Sequence, residues 1–291
     1  MPRALTLLPI LVVLAELAGA GPRELRLTPP EVVWIPGGDA TLGASRADIE
    51  AGMRLCADEH DLTVSGCTTE RFELERARHR THVGAFGIDR TEVTNAAYRR
   101  CVAASSCSPS HIPDADARFA LDAHPVVGVT HADAARYCAW AGGRLPTELE
   151  WEVAARGRGH PRRFPWGTLY NSAMANHGRI PFRADPVDGF RFTAPVGAIP
   201  EGASPYGLLD VAGNVWEWTA SEPDARDLLR EDGTPRFEHF GVAPEIVRVI
   251  RGGSWSSPAF TLRVTWRSLA LLGEPTSDLG FRCAYDRGAG D

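Results

Sequence analysis

The stretch Tyr206-Gly207-Leu208-Leu209-Asp210-Val211-Ala212-Gly213-Asn214-Val215-Trp216-Glu217-Trp218 and the later run Arg251-Gly252-Gly253-Ser254-Trp255 decide how we interpret this chain. In the first stretch, oxygen-bearing side chains recur at positions 210, 214 and 217 between glycines and tryptophans. A backbone that curls here can supply carboxylate, amide and carbonyl oxygens together, which suits the roughly six to eight oxygen ligands of calcium. The alternative is a turn that buries a pair of Trp side chains, and the stretch taken alone favours that alternative.

Composition narrows the classes of function. With 44% hydrophobic and 23% charged residues the chain is an ordinary globular protein, and its 29 Gly and 22 Pro predict a loop-rich fold. The formal charge of -6 comes without a run of basic and aromatic residues, which argues against nucleic acid as a partner. All 31 basic residues are Arg, and the absence of Lys excludes Schiff-base, P-loop and Ser-x-x-Lys chemistry.

Residues 1–20 have the pattern of a secretory signal peptide. A short basic start precedes an apolar run over residues 4–15, and Ala18-Gly19-Ala20 fits a cleavage site directly after Ala20. The apolar run is shorter than the roughly 20 residues that a membrane span needs. We therefore expect export to the periplasm or the extracellular space, no membrane span after cleavage, a linker over residues 21–30 and one domain over residues 31–288.

The six cysteines of an exported chain are expected to form disulfides, because secretion delivers them to an oxidising compartment. Many pairings are possible in principle. Spacing favours two short loops and one long one: Cys56 with Cys67, Cys101 with Cys107, and Cys138 with Cys283.

The first third of the domain has the pattern of strands around an irregular insertion. Residues 32–38 are predicted to form a strand and a turn, with residues 40–43 as the return strand of a hairpin. Residues 44–78 are charged and are predicted to be an exposed excursion, and residues 81–89 alternate as one strand.

Helix signals are confined to the middle of the chain, and after Gly157 no helical period remains. Each predicted helix follows a Thr that suits the N-cap position. The three helices are 95–104 after Thr94, 131–141 after Thr130, and 148–155 after Thr147.

Familiar catalytic patterns are missing, and a second oxygen-rich segment remains. The chain has no Gly-x-Ser-x-Gly elbow of a serine hydrolase and no Cys-x-x-Cys for zinc or thiol exchange. Asn176-His177 and Asp188-Gly189-Phe190 again combine amide, carboxylate and glycine outside regular structure. Two such shells in an exported chain favour bound calcium.

The chain resembles the formylglycine-generating enzyme family, also called sulfatase-modifying factor domains, over nearly all of residues 31–287. Several long strings match in the right order: VWIPGG at 33–38, FGIDRTEVTN at 86–95, GGRLPTELEWE at 142–152, PWG at 165–167, GNVWEW at 213–218, RGGSW at 251–255 and LGFRC at 279–283. The resemblance implies an α+β, C-type-lectin-like fold that is irregular and loop-rich, with three main helices and short strands.

The resemblance also implies two structural calcium ions, and Cys138 and Cys283 match a family disulfide. Carried over by position, one ion would be held by Asn176, the His177 carbonyl, Asp188 and the Phe190 carbonyl. The other would be held by Asp210, the Gly213 and Val215 carbonyls, and Glu217. Asp210 departs from the Asn common in the family, a change that keeps an oxygen and adds charge.

The family's activity is not implied as readily. Members that oxidise a sulfatase cysteine to formylglycine bind copper(I) and the substrate thiol with two cysteines shortly after the Gly-Gly-Ser turn. Here no Cys follows until Cys283, and Ser257 and Thr261 or Leu262 stand at the approximate positions. A hard hydroxyl ligand cannot replace a thiolate at soft copper(I). We therefore expect no copper and, as the leading interpretation, a pseudoenzyme.

The leading hypothesis is a non-catalytic binding module that holds a polar ligand or a protein segment in the former active-site groove. Side chains with stacking faces, hydroxyls and a planar cation would line it: Trp216, Ser254, Trp255, Ser257, Trp266 and Arg267. The alternative for Trp216 and Trp255 is a place in the core. Two other functions stay open, a formylglycine-generating oxidase or related oxidoreductase of the same fold, and a regulatory subunit whose groove is filled by a partner chain.

Overall fold

The computed structural model describes residues 31–59, 67, 72, 74–114, 116–159, 161–179, 183–228 and 246–287. The predicted signal peptide and the predicted linker lie outside the described residues. Within the described ranges, no helix combines the length and the apolar composition that crossing a membrane requires. Short helices and several small sheets are mixed along the chain, as expected for the α+β class.

The helices lie mainly in the first half of the chain. We number them α1 Arg46–Glu59, α2 Asn95–Ala103, α3 His131–Trp140, α4 Glu148–Arg156 and the short α5 Ala225–Leu228. The three predicted helices are confirmed as α2, α3 and α4. The hydroxyls of Thr94, Thr130 and Thr147 each accept a hydrogen bond from the backbone of the first helical turn, as N-cap residues do.

Helix α1 corrects the prediction that residues 44–78 form an exposed excursion. Its residues Ile49, Met53 and Cys56 recur on one helical face and pack against the core, and Cys56 is fully buried. The face contacts the 3-10 turn Ala259–Leu262. The prediction failed because charge in this segment does not mean exposure: Asp48 of α1 and Glu75 are themselves buried.

The strands are short and belong to four small sheets. In chain order they are β1 Val32–Ile35, β2 Gly38–Leu42, β3 His79–Val83, β4 Phe86–Asp89, β5 Gly178–Arg179, β6 Arg183–Ala184, β7 Trp216–Trp218, β8 Val247–Arg251, β9 Ser268–Leu271, β10 Leu279–Gly280 and β11 Ala284–Asp286. One sheet has the order β1-β4-β11 and another the order β10-β7-β8-β9, and β2-β3 and β5-β6 form two-stranded sheets. Among the pairings between these strands in the described residues, β10–β7 alone is parallel.

The predicted hairpin of residues 32–35 with 40–43 is wrong, and so is the single strand over residues 81–89. Strand β1 pairs with β4, whereas β2 pairs with β3. Gly37 lies so close to the next connection that a Cβ atom there would stand 2.9 Å from the backbone nitrogen of Ala85. The two connections therefore run side by side, and both chain segments pass from one sheet to the other.

The three predicted disulfides are confirmed. They join Cys56 to Cys67, Cys101 to Cys107, and Cys138 to Cys283. The last bond is fully buried and connects α3 to the chain just before β11.

Strand β7 positions the two segments with which the sequence analysis began. It lies between β10 and β8, and its Glu217 pairs in register with Arg251 at the end of β8. The loop that ends in Trp216–Trp218 and the turn that follows Arg251 are therefore neighbours at one end of this sheet.

Candidate functional site

The first predicted oxygen shell comes together around Asp188. Its carboxylate accepts hydrogen bonds from the backbone N–H groups of His177 (2.9 Å) and Phe190 (2.9 Å), and Gly189 closes the turn with a left-handed φ of 95°. Asn176 is buried beside this turn, and its Nδ2 donates to a main-chain carbonyl at 2.8 Å. Its Oδ1 is buried without a hydrogen-bond partner. The cluster therefore contains one amide oxygen that the protein itself leaves unsatisfied.

The second predicted shell lies in a loop whose backbone is left-handed at Asp210 (φ 58°), Gly213 (φ 82°) and Asn214 (φ 58°). Asp and Asn tolerate this conformation better than most residues because their short polar side chains bond locally. The Oδ2 atom of Asp210 accepts a hydrogen bond from the backbone N–H of Gly197 at 2.6 Å. The curl expected from the sequence is therefore present.

Glu217 of this shell is fully buried and already has strong partners. Its Oε1 accepts a hydrogen bond from Nη2 of Arg282 at 2.7 Å. Its Oε2 accepts hydrogen bonds from Nε of Arg282 at 2.8 Å and from the indole N–H of Trp151 at 2.7 Å. Arg282 thus supplies part of the positive charge that the sequence analysis assigned to an ion.

Glu92 is an additional carboxylate of the second shell that the sequence analysis did not single out. It is 2% exposed, and neither of its side-chain oxygens has a hydrogen-bond partner. Burial raises the pKa of Glu92 well above its usual range, and the charge of Asp210 raises it further. Burial raises the pKa of Asp210 as well. A single guanidinium group, that of Arg282, therefore interacts with three carboxylates, those of Glu92, Asp210 and Glu217.

Both shells fit a hard cation that is bound by mixed oxygen ligands. Among the described residues, no group of three or more His, Cys, Asp or Glu side chains could hold a metal alone. A calcium site here needs amide and main-chain carbonyl oxygens as well, which calcium accepts readily. The buried, unpartnered oxygens of Asn176 and Glu92 cost about 1–3 kcal/mol each when unsatisfied, so they are the atoms that an ion would satisfy.

A cluster of hydroxyls and one carboxylate follows the Gly252-Gly253 turn. The Oγ of Ser254 lies 2.9 Å from the Oγ of Ser257 and 3.2 Å from that of Ser256. The hydroxyls of Ser254 and Ser256 donate to Oδ2 of Asp278 at 3.1 and 3.2 Å. Ser254 and Ser257 are buried, whereas Ser256 and Asp278 are half-buried and partly reach solvent. We call Ser254, Ser256, Ser257 and Asp278 the serine cluster.

Two of the predicted groove tryptophans border the serine cluster in different ways. Trp216 is 8% exposed, packs in the core, and donates its backbone N–H to the carbonyl of Asp278 at 2.8 Å. Trp255 is half-buried, with its ring against those of Phe119 and Phe192 at 5.9 and 5.3 Å between centroids. Trp255 is therefore the indole of the two that keeps a partly open face.

The other two predicted groove residues are occupied elsewhere. Trp266 is 7% exposed, and its ring packs against Phe260 at 5.0 Å. Arg267 is 2% exposed and donates to Glu148 at 2.6 Å and to Asp227 at 2.6 Å. These contacts leave neither side chain available to a ligand beside the serine cluster.

The positions that would hold a cysteine pair carry no thiol. Ser257 bonds to Ser254, and the hydroxyl of Thr261 donates to the carbonyl of Pro258 at 2.7 Å. Leu262 is 1% exposed in an apolar cluster. All six cysteines of the chain are joined in the three disulfides, so none remains as a free thiolate.

Comparison with known proteins gives this geometry its context. A family model described as "Sulfatase-modifying factor enzyme 1-like domain" matches residues 18–287. The chain belongs to the sulfatase-modifying factor family. The strings from residue 33 to residue 283 that carried the resemblance lie inside the matched range.

Relatives with and without the family's named activity are similar to this sulfatase-modifying factor domain to the same degree. The formylglycine-generating enzyme of Mus musculus is 32% identical over 302 residues, which cover 92% of this chain and 77% of the relative. The inactive C-alpha-formylglycine-generating enzyme 2 of Bos taurus is also 32% identical, over 315 residues that cover 98% and 97% of the two chains.

Solved structures support the same fold. PvdO from Pseudomonas aeruginosa matches with a TM-score of 0.62 and 26% identity, covering 89% of this chain and 95% of that one. Treponema denticola variable protein 1 matches with a TM-score of 0.57 and 22% identity, covering 88% and 95%, which is evidence for the fold alone. The expected irregular α+β fold of the formylglycine-generating enzyme type is confirmed.

Proposed function

We propose that this chain is an exported, calcium-stabilised sulfatase-modifying factor domain that binds a polar ligand or a protein segment and does not oxidise cysteine through copper. One observation carries the proposal: every cysteine is used in a disulfide, and Ser257, Thr261 and Leu262 occupy the segment where a copper-binding pair would lie. Copper(I) selects soft thiolate ligands, so hydroxyl and alkyl groups do not recreate that site.

Sequence similarity by itself does not decide between a catalyst and a binding module. The chain is 32% identical both to a formylglycine-generating enzyme and to a protein named as an inactive one. The side chains after the Gly-Gly-Ser turn are therefore the better criterion, and they favour the binding module.

We place the ligand at the serine cluster and Trp255. Ser256 and Asp278 are partly open to solvent and offer a hydroxyl and a carboxylate. The half-buried indole of Trp255 offers a flat apolar surface beside them. Hydroxyls, one carboxylate and an aromatic face suit a ligand with several hydrogen-bonding groups, such as a polar small molecule or an extended peptide backbone.

We assign calcium a structural part in this module. Asn176, Asp188 and the carbonyls of His177 and Phe190 would hold one ion, and Asp210, Glu217 and the carbonyls of Gly213 and Val215 would hold the other, with Glu92 added. When bound, the ions would supply the positive charge that these buried oxygens lack. Glu92 and Asn176 support this assignment because their side-chain oxygens are buried without a hydrogen-bond partner.

A peptide-oxidation assay tests the absence of oxidase activity. The purified chain is incubated with copper(I), oxygen and a peptide that carries the sulfatase motif Cys-x-Pro-x-Arg, and mouse formylglycine-generating enzyme serves as the positive control. We expect neither tight copper binding nor aldehyde formation. Turnover by this chain would overturn the proposal and favour the oxidase of the same fold.

Export and partner binding are tested separately. Expression of the full chain with a C-terminal tag is expected to yield a secreted or periplasmic product that begins at Gly21, and an unprocessed cytoplasmic product would contradict export.

Capture of partners from the exported fraction compares the wild type with Trp255→Ala and Ser256→Ala. A stably captured chain that both variants lose would favour the regulatory-subunit form of the proposal over a small ligand.

A further inference from the structure

A cavity of about 440 Å³ opens near the serine cluster, between the end of α1 and residues 170–179 and 185–188. Aliphatic, aromatic and charged side chains line it together. Its carboxylates are those of Asp58, Glu59, Asp185 and Asp188, and Leu55, Tyr170, Ser172, His177, Arg179 and Val187 complete the lining.

Hydrogen bonds join residues around the cavity to the segment in which a catalytic cysteine pair would lie. Oε1 of Glu59 accepts a hydrogen bond from the backbone N–H of Ala259 at 2.9 Å. The backbone N–H of Gly178 donates to the carbonyl of Ser257 at 2.9 Å. Residues 257–259 therefore connect the serine cluster to the residues around this cavity, and the two places are neighbours.

The charges of the lining are unbalanced in favour of negative charge. Besides Asp188, which is assigned to the first calcium shell, three carboxylates face a single guanidinium, that of Arg179, which is paired with Asp185. The other Glu59 oxygen, Oε2, is shielded from solvent and has no hydrogen-bond partner. Burial raises the pKa of Glu59 to about 7, as expected for a carboxylate without a cation of its own. A cationic group in the cavity would balance this negative charge.

The remaining side chains suit the aliphatic part of such a ligand. Val187 is 72% exposed at the edge of the cavity, and Leu55 lies in its wall. The Tyr170 hydroxyl bonds to Nε2 of His177 at 2.9 Å, which fixes the ring in the lining.

We propose that this cavity binds the cationic end of an aliphatic chain, an ammonium or guanidinium group of the kind that Lys and Arg side chains carry. Glu59 accepts a charge-assisted hydrogen bond from that group, and Asp58 and Asp185 add to the attraction. Leu55, Tyr170 and Val187 pack against the stem. This inference rests on the proposed binding function and names the chemical class of its ligand.

Calorimetric titration with matched probes tests the inference at saturating calcium, where Asp188 is engaged with its ion. The probes are agmatine, a blocked Gly-Arg-Gly peptide, and the same peptide with citrulline in place of Arg. We expect the two cationic probes to bind, binding to weaken as salt is raised, and the neutral citrulline peptide not to bind. Equal affinity for the Arg and citrulline peptides would overturn the proposal.

Variants locate the binding at the cavity. Glu59→Gln keeps the acceptor for Ala259 and removes the charge, and it is expected to weaken the cationic probes at least tenfold. Asp58→Asn, an exposed change with little effect on folding, is expected to weaken them a few-fold. Glu274→Gln, an exposed carboxylate outside the lining, is the control and should bind as the wild type does. Unchanged binding in Glu59→Gln and Asp58→Asn would sink the assignment.

The two cationic probes also distinguish a small amine from a basic polypeptide as the ligand. Together with the copper assay, they test the cation site independently of the proposed function. Similar affinities for agmatine and the Arg peptide support a small amine ligand, whereas a peptide that binds at least tenfold more tightly supports a basic polypeptide segment. Peptide oxidation in the separate copper assay would overturn the non-catalytic function and leave the cation site standing. Absence of both oxidation and probe binding would overturn the cation site alone.

Discussion

Asn214 and Asn176 are joined in both directions across the two calcium-type shells. The backbone N–H of Asn214 donates to the carbonyl of Asn176 at 2.7 Å, and Nδ2 of Asn176 donates to Oδ1 of Asn214 at 3.2 Å. The two residues are 38 positions apart in sequence and both are buried. The loop of the first shell and the loop of the second therefore form one unit, and a change at either position is felt by both.

Substitution of Asn214 separates its hydrogen bonds from its backbone conformation. Asn214→Ala loses buried side-chain bonds, at about 1–3 kcal/mol, and places a Cβ without polar compensation at φ 58°, at about 1–2 kcal/mol. Asn214→Gly loses the same bonds without the conformational cost. We expect the Ala variant to be less stable than the Gly variant by about 1 kcal/mol in urea unfolding. Equal stability of the two would show that the left-handed conformation contributes nothing.

Removal of Arg282 tests the buried ion pair with Glu217. Arg282→Met leaves Glu217, Asp210 and Glu92 without a guanidinium, and loss of one partner of a buried pair costs about 3–5 kcal/mol. Arg46→Ala removes an exposed partner of Glu50 and should change the free energy of unfolding by less than about 0.5 kcal/mol. Chemical unfolding of both variants measures the contrast, and a small loss for Arg282→Met would contradict the ion pair's role.

Calcium removal should lower the melting temperature of the wild type. The Glu92→Gln substitution should change the stability in opposite directions without calcium and with saturating calcium. Without calcium, the variant removes an unsatisfied buried carboxylate and is expected to be at least as stable as the wild type. With saturating calcium it loses a ligand and is expected to be less stable. Differential scanning calorimetry with and without chelator measures both. Asp39→Asn, on an exposed carboxylate, is the control.

A chelator that leaves the wild-type melting temperature unchanged would count against both calcium sites. Asp188→Asn provides the corresponding variant for the first site. It keeps one acceptor for the backbone of His177 or Phe190, so a reduced calcium response reports the lost charge rather than a collapsed turn.

The pH dependence of stability reports the buried carboxyl of Asp89. Burial raises its pKa from 3.8 to about 6, although Cys283 and Tyr285 donate hydrogen bonds to it. The folded state therefore binds this proton more tightly than the unfolded state, so the contribution is present below about pH 4 and is lost as the pH rises through about 6. In urea unfolding from pH 4 to 7, Asp89→Asn should remove this part of the decline, no more than about 3 kcal/mol. Parallel profiles for the two proteins would contradict it.

Local signals in the sequence were sufficient for the elements that local chemistry defines. Thr94, Thr130 and Thr147 marked three helix starts because an N-cap needs only its own first turn. The strand pairings were not accessible in this way. The partner of β1 lies about fifty residues away in β4, and the packing of Gly37 on Ala85 that redirects both segments is a tertiary contact.

In the candidate site, too, residues defined by local sequence were predictable, whereas residues defined by tertiary contacts were not. Asp188 and Asp210 could be placed in loops from their motif positions, because their local backbone forms a turn or a left-handed conformation. Glu92 could not be recognised, since its importance comes from burial beside a residue more than a hundred positions away. The burial of Arg267 was also not predictable, because its partners Glu148 and Asp227 lie on two helices that are distant from it in sequence.

The bond between Cys138 and Cys283 has a consequence for how the protein is made. During synthesis Cys138 has to wait for 145 further residues before its partner exists. Until then it has no disulfide partner, whereas Cys101 and Cys107 are only six residues apart and can close early. Truncated and complete chains therefore differ chemically. A chain that ends before Cys283 has a free thiol at Cys138 on α3, whereas the complete folded chain has none.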